Sequence, residues 1–172
     1  MKKIAVVGTV GIPACYGGFE SLVQNLVDYQ SEDVTYTVFC SSKHYKNKPA
    51  HYKNARLEYI SLKANGASSI FYDIYSLFRC LKEKHDVVLI LGVSGCVVLP
   101  IFRLFSHSKI VTNIDGLEWR REKWGRMAKS FLKFSEKLAV FSSDVVISDN
   151  QAIGDYVKSE YNKNNQVIAY GG

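Results

Sequence analysis

The sequence predicts an α/β fold: a Rossmann-like, doubly wound parallel sheet of about seven strands in one domain, residues 1–172. Two observations carry this. Short, continuous runs rich in Val and Ile alternate with longer amphipathic stretches, the pattern of strands covered on both faces. The first run, Ile4-Ala5-Val6-Val7, is followed by a long glycine-rich loop and then by a helical pattern from Ser21 to Tyr29. A chain of 172 residues, 47% of them hydrophobic, is long enough for one full core and too apolar for disorder.

The elements follow in order. Lys3–Gly8 is the first strand, and Phe19–Gln30 is a helix with Glu20 in its first turn, where a carboxylate complements the helix dipole. Val34–Cys40 and Arg56–Ser61 are strands separated by a basic, polar loop from Lys43 to Asn54. Ser68–Glu83 is a helix leading to the strand Asp86–Leu91. The uncharged run Val87 to Phe102 contains Gly92, Gly95 and Pro100, so it reads as a buried strand, a turn and a short helix near Cys96–Phe105 rather than a membrane span. Then come strand Lys109–Ile114, helix Glu122–Val140, strand Asp144–Ser148, helix Gln151–Glu160 and strand Gln166–Tyr170. Ser148 or Asp149 is placed to cap the helix that follows it.

The loop Gly8-Thr9-Val10-Gly11-Ile12-Pro13-Ala14-Cys15-Tyr16-Gly17-Gly18-Phe19-Glu20 is the most informative segment. It delivers backbone N–H groups to a helix N-terminus, where a phosphate or other anion is the natural guest. It lacks the G-x-G-x-x-G spacing of a dinucleotide site, and the next strand ends Phe39-Cys40-Ser41-Ser42-Lys43 without a carboxylate for a ribose. No Walker-type Gly-Lys-Ser/Thr follows. Ligands of such sheets sit beyond the carboxyl ends of the strands. That rule selects Gly11 to Glu20, Gly92-Val93-Ser94-Gly95, Asp115-Gly116-Leu117-Glu118-Trp119, and Asp149 with Asn150. Asp115 serves there as a turn residue, or as a base or sugar-hydroxyl ligand.

A net charge of +6 implies an anionic partner: nucleic acid, anionic lipid or a phosphorylated substrate. On the Glu122–Val140 helix, Trp124, Met127, Ala128, Phe131, Leu132 and Leu138 form an apolar stripe, and Arg126, Lys129, Lys133 and Lys137 line the other side. That basic face is either solvated surface or a membrane-surface face suited to anionic headgroups. No recognition helix, stacking platform or basic repeat supports nucleic acid as partner. Four cysteines without a C-x-x-C pair fit a reducing compartment, four scattered histidines lack metal-ligand spacing, and no metal is expected. Gly8, Gly11 and Pro13 interrupt the apolar region that a lipoprotein signal would need.

Gly11-Ile12-Pro13-Ala14 with Tyr16-Gly17-Gly18-Phe19-Glu20 resembles the opening of bacterial family-four glycosyltransferases of the rhamnosyltransferase-like branch. Asn113-Ile114-Asp115-Gly116-Leu117-Glu118-Trp119 with Lys123-Trp124-Gly125 is similar to that branch's second signature. Ser148-Asp149-Asn150, Tyr156 and the terminal Ile168-Ala169-Tyr170-Gly171-Gly172 are similar to its third. Cys15 departs from the basic residue of the family pattern. The resemblance implies the N-terminal, acceptor-side half of a GT-B enzyme of two Rossmann-like domains, with the C-terminal nucleotide-sugar domain absent from this chain and the isolated chain inactive. It implies Asp115 as catalytic residue and Gly17, Gly18, Glu20, Glu118, Asp149 and Asn150 as substrate-binding. The implied substrates are a nucleotide-sugar donor, with dTDP-rhamnose the suggested one, and a lipid-linked saccharide acceptor used in cell-surface polysaccharide synthesis. The implied place is the cytoplasmic face of the membrane, attached peripherally to its anionic surface, with no cofactor. Two other readings stay open: an NADP-linked reductase whose Ser41, Ser42 and Lys43 receive the extra phosphate, and a non-catalytic nucleotide- or lipid-sensing module.

Overall fold

The computed structural model describes residues 1–169. Its strands are β1 (Lys2–Val7), β2 (Val34–Ser41), β3 (His51–Tyr52), β4 (Ala55–Ile60), β5 (Val87–Leu91), β6 (Lys109–Ile114), β7 (Val145–Ser148) and β8 (Gln166–Val167). Its helices are α1 (Gly18–Asp28), α2 (Ser68–Cys80), α3 (Leu99–Phe105), α4 (Arg126–Ser142) and α5 (Gln151–Tyr161). The strands form one sheet in the order β3-β4-β2-β1-β5-β6-β7-β8. Every pairing is parallel except β3 with β4. The order reverses between β1 and β5, which places the topological switch point of a doubly wound sheet beside the glycine loop.

Two cores flank the sheet. Val23 and Val27 of α1 pack on Val6, Val38 and Leu57 on one face. Tyr72 and Leu77 of α2, Phe102 of α3, Ala139 and Val140 of α4 and Ile153 and Val157 of α5 pack on Ala5, Val88, Ile110 and Val146 on the other. Burying these side chains supplies the main driving force, at roughly 1.5–3 kcal/mol for each large one.

The structure departs from the expected elements in three places. The sheet has eight strands rather than about seven, because His51–Tyr52 in the expected Lys43–Asn54 loop pairs antiparallel with Ala55 and Arg56. The fourth helix begins at Arg126 rather than Glu122, because Gly125 is extended at ψ 167° and the preceding segment folds back against the side of the helix, where Trp119 donates to Glu136 and Trp124 to Glu118. The cap of α5 is neither Ser148 nor Asp149: Asn150 accepts from the Ile153 amide at 3.0 Å through its side-chain oxygen. Tyr170, Gly171 and Gly172 of the third resemblance motif and of the last expected strand lie outside the described residues.

Candidate functional site

A cleft of about 320 Å³ opens beyond the carboxyl ends of β1, β5 and β6. Gly17, Gly18 and Glu20 line it from the first loop, Gly92, Val93 and Ser94 from the loop after β5, and Asp115, Glu118, Arg121, Lys123 and Trp124 from the segment after β6. Five of the seven residues expected at the site are thus brought together. The other two are not: Asn150 is the cap of α5, and Asp149 lies outside the lining while its charge still acts on Asp115.

The glycine loop is built around Glu20. Its carboxylate is 3% exposed and accepts three hydrogen bonds. Oε1 takes the Val10 amide at 2.7 Å and the Thr9 hydroxyl at 2.8 Å, and Oε2 takes the Gly17 amide at 2.7 Å. The anion at this helix N-terminus is therefore the chain's own carboxylate, the position an external phosphate was expected to fill. The glycines divide by task. Gly8 has φ 92°, and a Cβ there would lie 2.1 Å from the Leu91 carbonyl oxygen. Gly11 has φ 130°, with Cys40 Sγ 2.6 Å from the same imagined atom. These two let the chain just after β1 pass close to its neighbours, and Gly8 also borders the cleft, together with Gly17 and Gly18.

The segment from Asp115 to Trp124 is pinned at its middle and at its far end. The Trp119 indole donates to Glu136 at 3.1 Å, and the Trp124 indole donates to Glu118 at 3.0 Å. Glu118 also pairs with Arg121 at 3.1 Å and Lys123 at 2.9 Å. Asp115 is exposed on the rim, yet burial of its carboxyl against the cleft walls raises it above the usual carboxylate range. Its own backbone amide pulls the other way, Glu118 and Asp149 add to the rise, and Arg121 opposes it. Arg121 and Lys123 are cations of the cleft that sequence reasoning did not select.

Asp73 was also missed. It comes from the middle of α2, is 6% exposed, lines the cleft, and accepts from the Ser94 hydroxyl through Oδ2. Burial pushes its carboxyl up to about 7, against a smaller lowering by Ser94. The available signal was a single acid in the otherwise apolar and hydroxylic run Ser68-Ser69-Ile70-Phe71-Tyr72-Asp73-Ile74-Tyr75-Ser76-Leu77. Gly95 follows Ser94, and a Cβ there would come within 2.5 Å of Asp73 Cβ, so α2 and the loop after β5 touch backbone to backbone.

The basic side of α4 is split by the fold. Arg126 and Lys137 are exposed and Lys129 is partly so. Lys133 turns inward: its ammonium lies 2.9 Å from Glu160 and 3.5 Å from the fully buried Glu136, with the Tyr156 hydroxyl bonded to it. Trp119, Tyr156 and Tyr161 present ring faces to it at 4.7–4.9 Å. Burial alone would lower its pKa, but the bonds to Tyr156 and Glu160 and the Glu136 charge leave it raised. The expected inward stripe is altered as well. Met127 is 89% exposed, and Phe134 and Phe141, one heptad apart from it and from each other, are also exposed. Leu104 and Phe105 of the adjoining α3 add to the exposed apolar surface. Among the described residues, no helix is long and apolar enough to cross a membrane. Of the three residues assigned to a nucleotide 2′-phosphate in the reductase reading, Ser41 is fully buried and donates to the Leu62 carbonyl at 2.6 Å.

The family described as "Domain of unknown function (DUF1972)" matches residues 1–172. No curated protein matches the chain. Among solved structures, sucrose-phosphate synthase from Thermosynechococcus elongatus aligns with 100% of this chain and 49% of its own, at a TM-score of 0.77 and 15% identity. A shorter structure of the same synthase, designated 27–220 and 406–426, aligns with 99% of this chain and 90% of its own, at 0.64 and 12%. Arabidopsis thaliana UGT89C1 complexed with UDP-L-rhamnose aligns with 99% and 51%, at 0.62 and 11%. These neighbours are GT-B glycosyltransferases, and the chain shares the fold of one of their halves. It spans about half the length of the full synthase and of UGT89C1.

Proposed function

The chain belongs to the DUF1972 family, and from that premise and the geometry of the cleft we propose that it is the acceptor-side domain of a glycosyltransferase. The carrying observation is the rim carboxylate of Asp115, raised by burial and set in the same cleft as Gly17, Gly18, Glu118, Arg121 and Lys123. A carboxylate lifted toward neutrality is a competent base for a sugar hydroxyl. In the proposed step the acceptor O–H proton passes to Asp115 and the oxygen bonds to the anomeric carbon. The bond from that carbon to the donor's diphosphate breaks, and the nucleoside diphosphate leaves with the electron pair. Arg121 and Lys123 are the cations available to the leaving group from this side. The donor would be bound chiefly by a second domain. We assign dTDP-rhamnose to it on the sequence resemblance, alongside a neighbour solved with UDP-L-rhamnose.

The acceptor in this reading is a lipid-linked saccharide of cell-surface polysaccharide synthesis, met on the cytoplasmic membrane face. What supports it is the outer side of α4, where Met127, Phe134 and Phe141 stand exposed among Arg126, Lys129 and Lys137. Apolar side chains flanked by cations suit the boundary between anionic headgroups and acyl chains.

The test uses a longer protein that joins this domain to a nucleotide-sugar domain. Asp115→Asn is expected to lower kcat on the order of 10²–10⁴-fold with an unchanged unfolding midpoint. Full turnover by the variant would remove Asp115 as the base. Absence of sugar transfer by the parent, across dTDP-, UDP- and GDP-sugars, would overturn the transferase reading itself.

A further inference from the structure

We propose that Asp73 and Ser94 form a hydroxyl-recognition subsite in the cleft, one that selects the acceptor saccharide by a particular sugar hydroxyl. This rests on the acceptor reading given above and assigns to it Asp73, which neither the motifs nor the family resemblance single out, together with Ser94 from the loop after β5.

The geometry starts from a carboxylate oxygen that faces the cleft without a protein donor among the described residues. Asp73 is nine-tenths buried, yet Ser94 is the single side-chain or backbone donor to its carboxylate among the described residues, and that bond uses Oδ2. Buried carboxylates ordinarily collect several donors, since an unmet one forfeits much of its hydration. Oδ1 has no such donor, and the residue lines the cleft, so a ligand group is in position to supply one. Ser94 lines the cleft beside it. Its hydroxyl hydrogen is committed to Asp73, which leaves the Ser94 oxygen as an acceptor for a second donor. Two adjacent acceptors suit neighbouring hydroxyls on a pyranose ring.

Charge separates this end of the cleft from the rest. A phosphate brought to Asp73 would meet an anion with no cation bonded to it. The cations of the cleft, Arg121 and Lys123, belong to the segment after β6. A neutral polyol avoids that repulsion. Burial, which lifts the Asp73 carboxyl to about 7, also leaves part of the population protonated at neutral pH. Either form can bond a hydroxyl, the anion as acceptor and the acid as donor. The position is also rigid: the close approach of Gly95 to Asp73 and the Ile74 amide leaves no slack between α2 and the loop after β5.

The experiment titrates this chain with methyl α-L-rhamnopyranoside, methyl α-D-glucopyranoside and their monodeoxy analogues, followed by amide shifts of Gly92, Ser94 and Asp115 in heteronuclear NMR. Wild type should bind at least one parent glycoside, and removal of one hydroxyl should weaken it about tenfold or more, the scale of one charge-assisted hydrogen bond. In Asp73→Asn the same deletion should cost less than twofold, because the partner has already gone. Ser94→Ala should lower affinity for the parent glycoside without moving amides of the outer strands β4 and β8, which guards against misfolding of the Asp73 variant. Equal binding of the glycoside by wild type and Asp73→Asn would overturn the subsite and leave the transferase reading standing. Failure of every glycoside to shift the wild-type cleft would overturn both.

Discussion

Glu20 is the residue whose replacement tests the construction of the site most directly. Its carboxylate holds the loop shut through the Val10 and Gly17 amides and the Thr9 hydroxyl at 2.7–2.8 Å, and it is 3% exposed. In Glu20→Gln the side chain keeps its length but one oxygen becomes an NH₂. Turned one way, that NH₂ faces the Val10 amide and orphans a buried N–H. Turned the other, it faces the Gly17 amide, which sits on the exposed side. The second orientation is cheaper and still loses one bond to a charged acceptor, worth roughly 1.5–3 kcal/mol, while demoting the other two to neutral bonds. Relief of the buried charge offsets part of this, so the expected loss is about 2–3 kcal/mol. In a domain of this size each 1 kcal/mol shifts the melting midpoint by roughly 2–4 °C. Urea unfolding with an unchanged slope should show the loss, and hydrogen exchange at the Gly17 amide should accelerate. If stability stays within about 0.5 kcal/mol of wild type while ligand affinity falls, Glu20 is a binding carboxylate and the loop is held by something else.

Two further outcomes follow from the charges. Asp73 favours its protonated form when folded, so the native state binds more protons than the unfolded chain between the ordinary carboxylate value of 3.8 and about 7. Stability therefore falls as pH rises through that window, by on the order of 4 kcal/mol in all at 1.36 kcal/mol per unit, and Asp73→Asn should flatten that part of the profile in denaturant titrations at pH 4–8. On α4, Met127→Asp with Phe134→Asp should release the protein from phosphatidylglycerol-containing vesicles in flotation assays, and Lys137→Glu should weaken attachment further at low salt. Vesicle binding unchanged by all three substitutions would mark the face as ordinary surface.

The framework was legible because parallel strands covered on both faces leave a strong local signature. Val87-Val88-Leu89-Ile90-Leu91 and Val145-Val146-Ile147-Ser148 admit little else. β3 was not legible: two residues carry no periodicity, and the pair exists because Lys53, at φ 49°, turns the chain back onto Ala55. The start of α4 differs from the expected one for another reason. Glu122-Lys123-Trp124 has helical composition, but Trp119 and Trp124 find acceptors in Glu136 and Glu118, and those tertiary bonds outweigh propensity. Lys133 fits a basic helical face equally well by spacing. Only the fold brings Glu136 and Glu160 and three aromatic rings around it. Its side chain thus belongs to the support of the Asp115–Trp124 segment, through the same Glu136 that holds Trp119.

The candidate site shows why residue type and loop position identify a rim more readily than a floor. Asp115 follows a strand directly, so the rule that ligands lie beyond strand ends points to it from sequence. Asp73 lies in the middle of a helix, where an acid ordinarily faces solvent, and nothing in its neighbours' spacing marks it as inward except the apolar residues on either side. Its meeting with Ser94 depends on the order of the sheet: β5 must lie beside β1 for the loop after it to reach α2. The two carboxylates share a cleft and a direction of pKa shift, but solvent reaches one and hardly reaches the other. A base must exchange its proton with water at each turnover, which suits the exposed Asp115. A discriminating ligand must hold one geometry and penalise the wrong partner, and that penalty grows as less water is at hand to substitute, as at the largely buried Asp73.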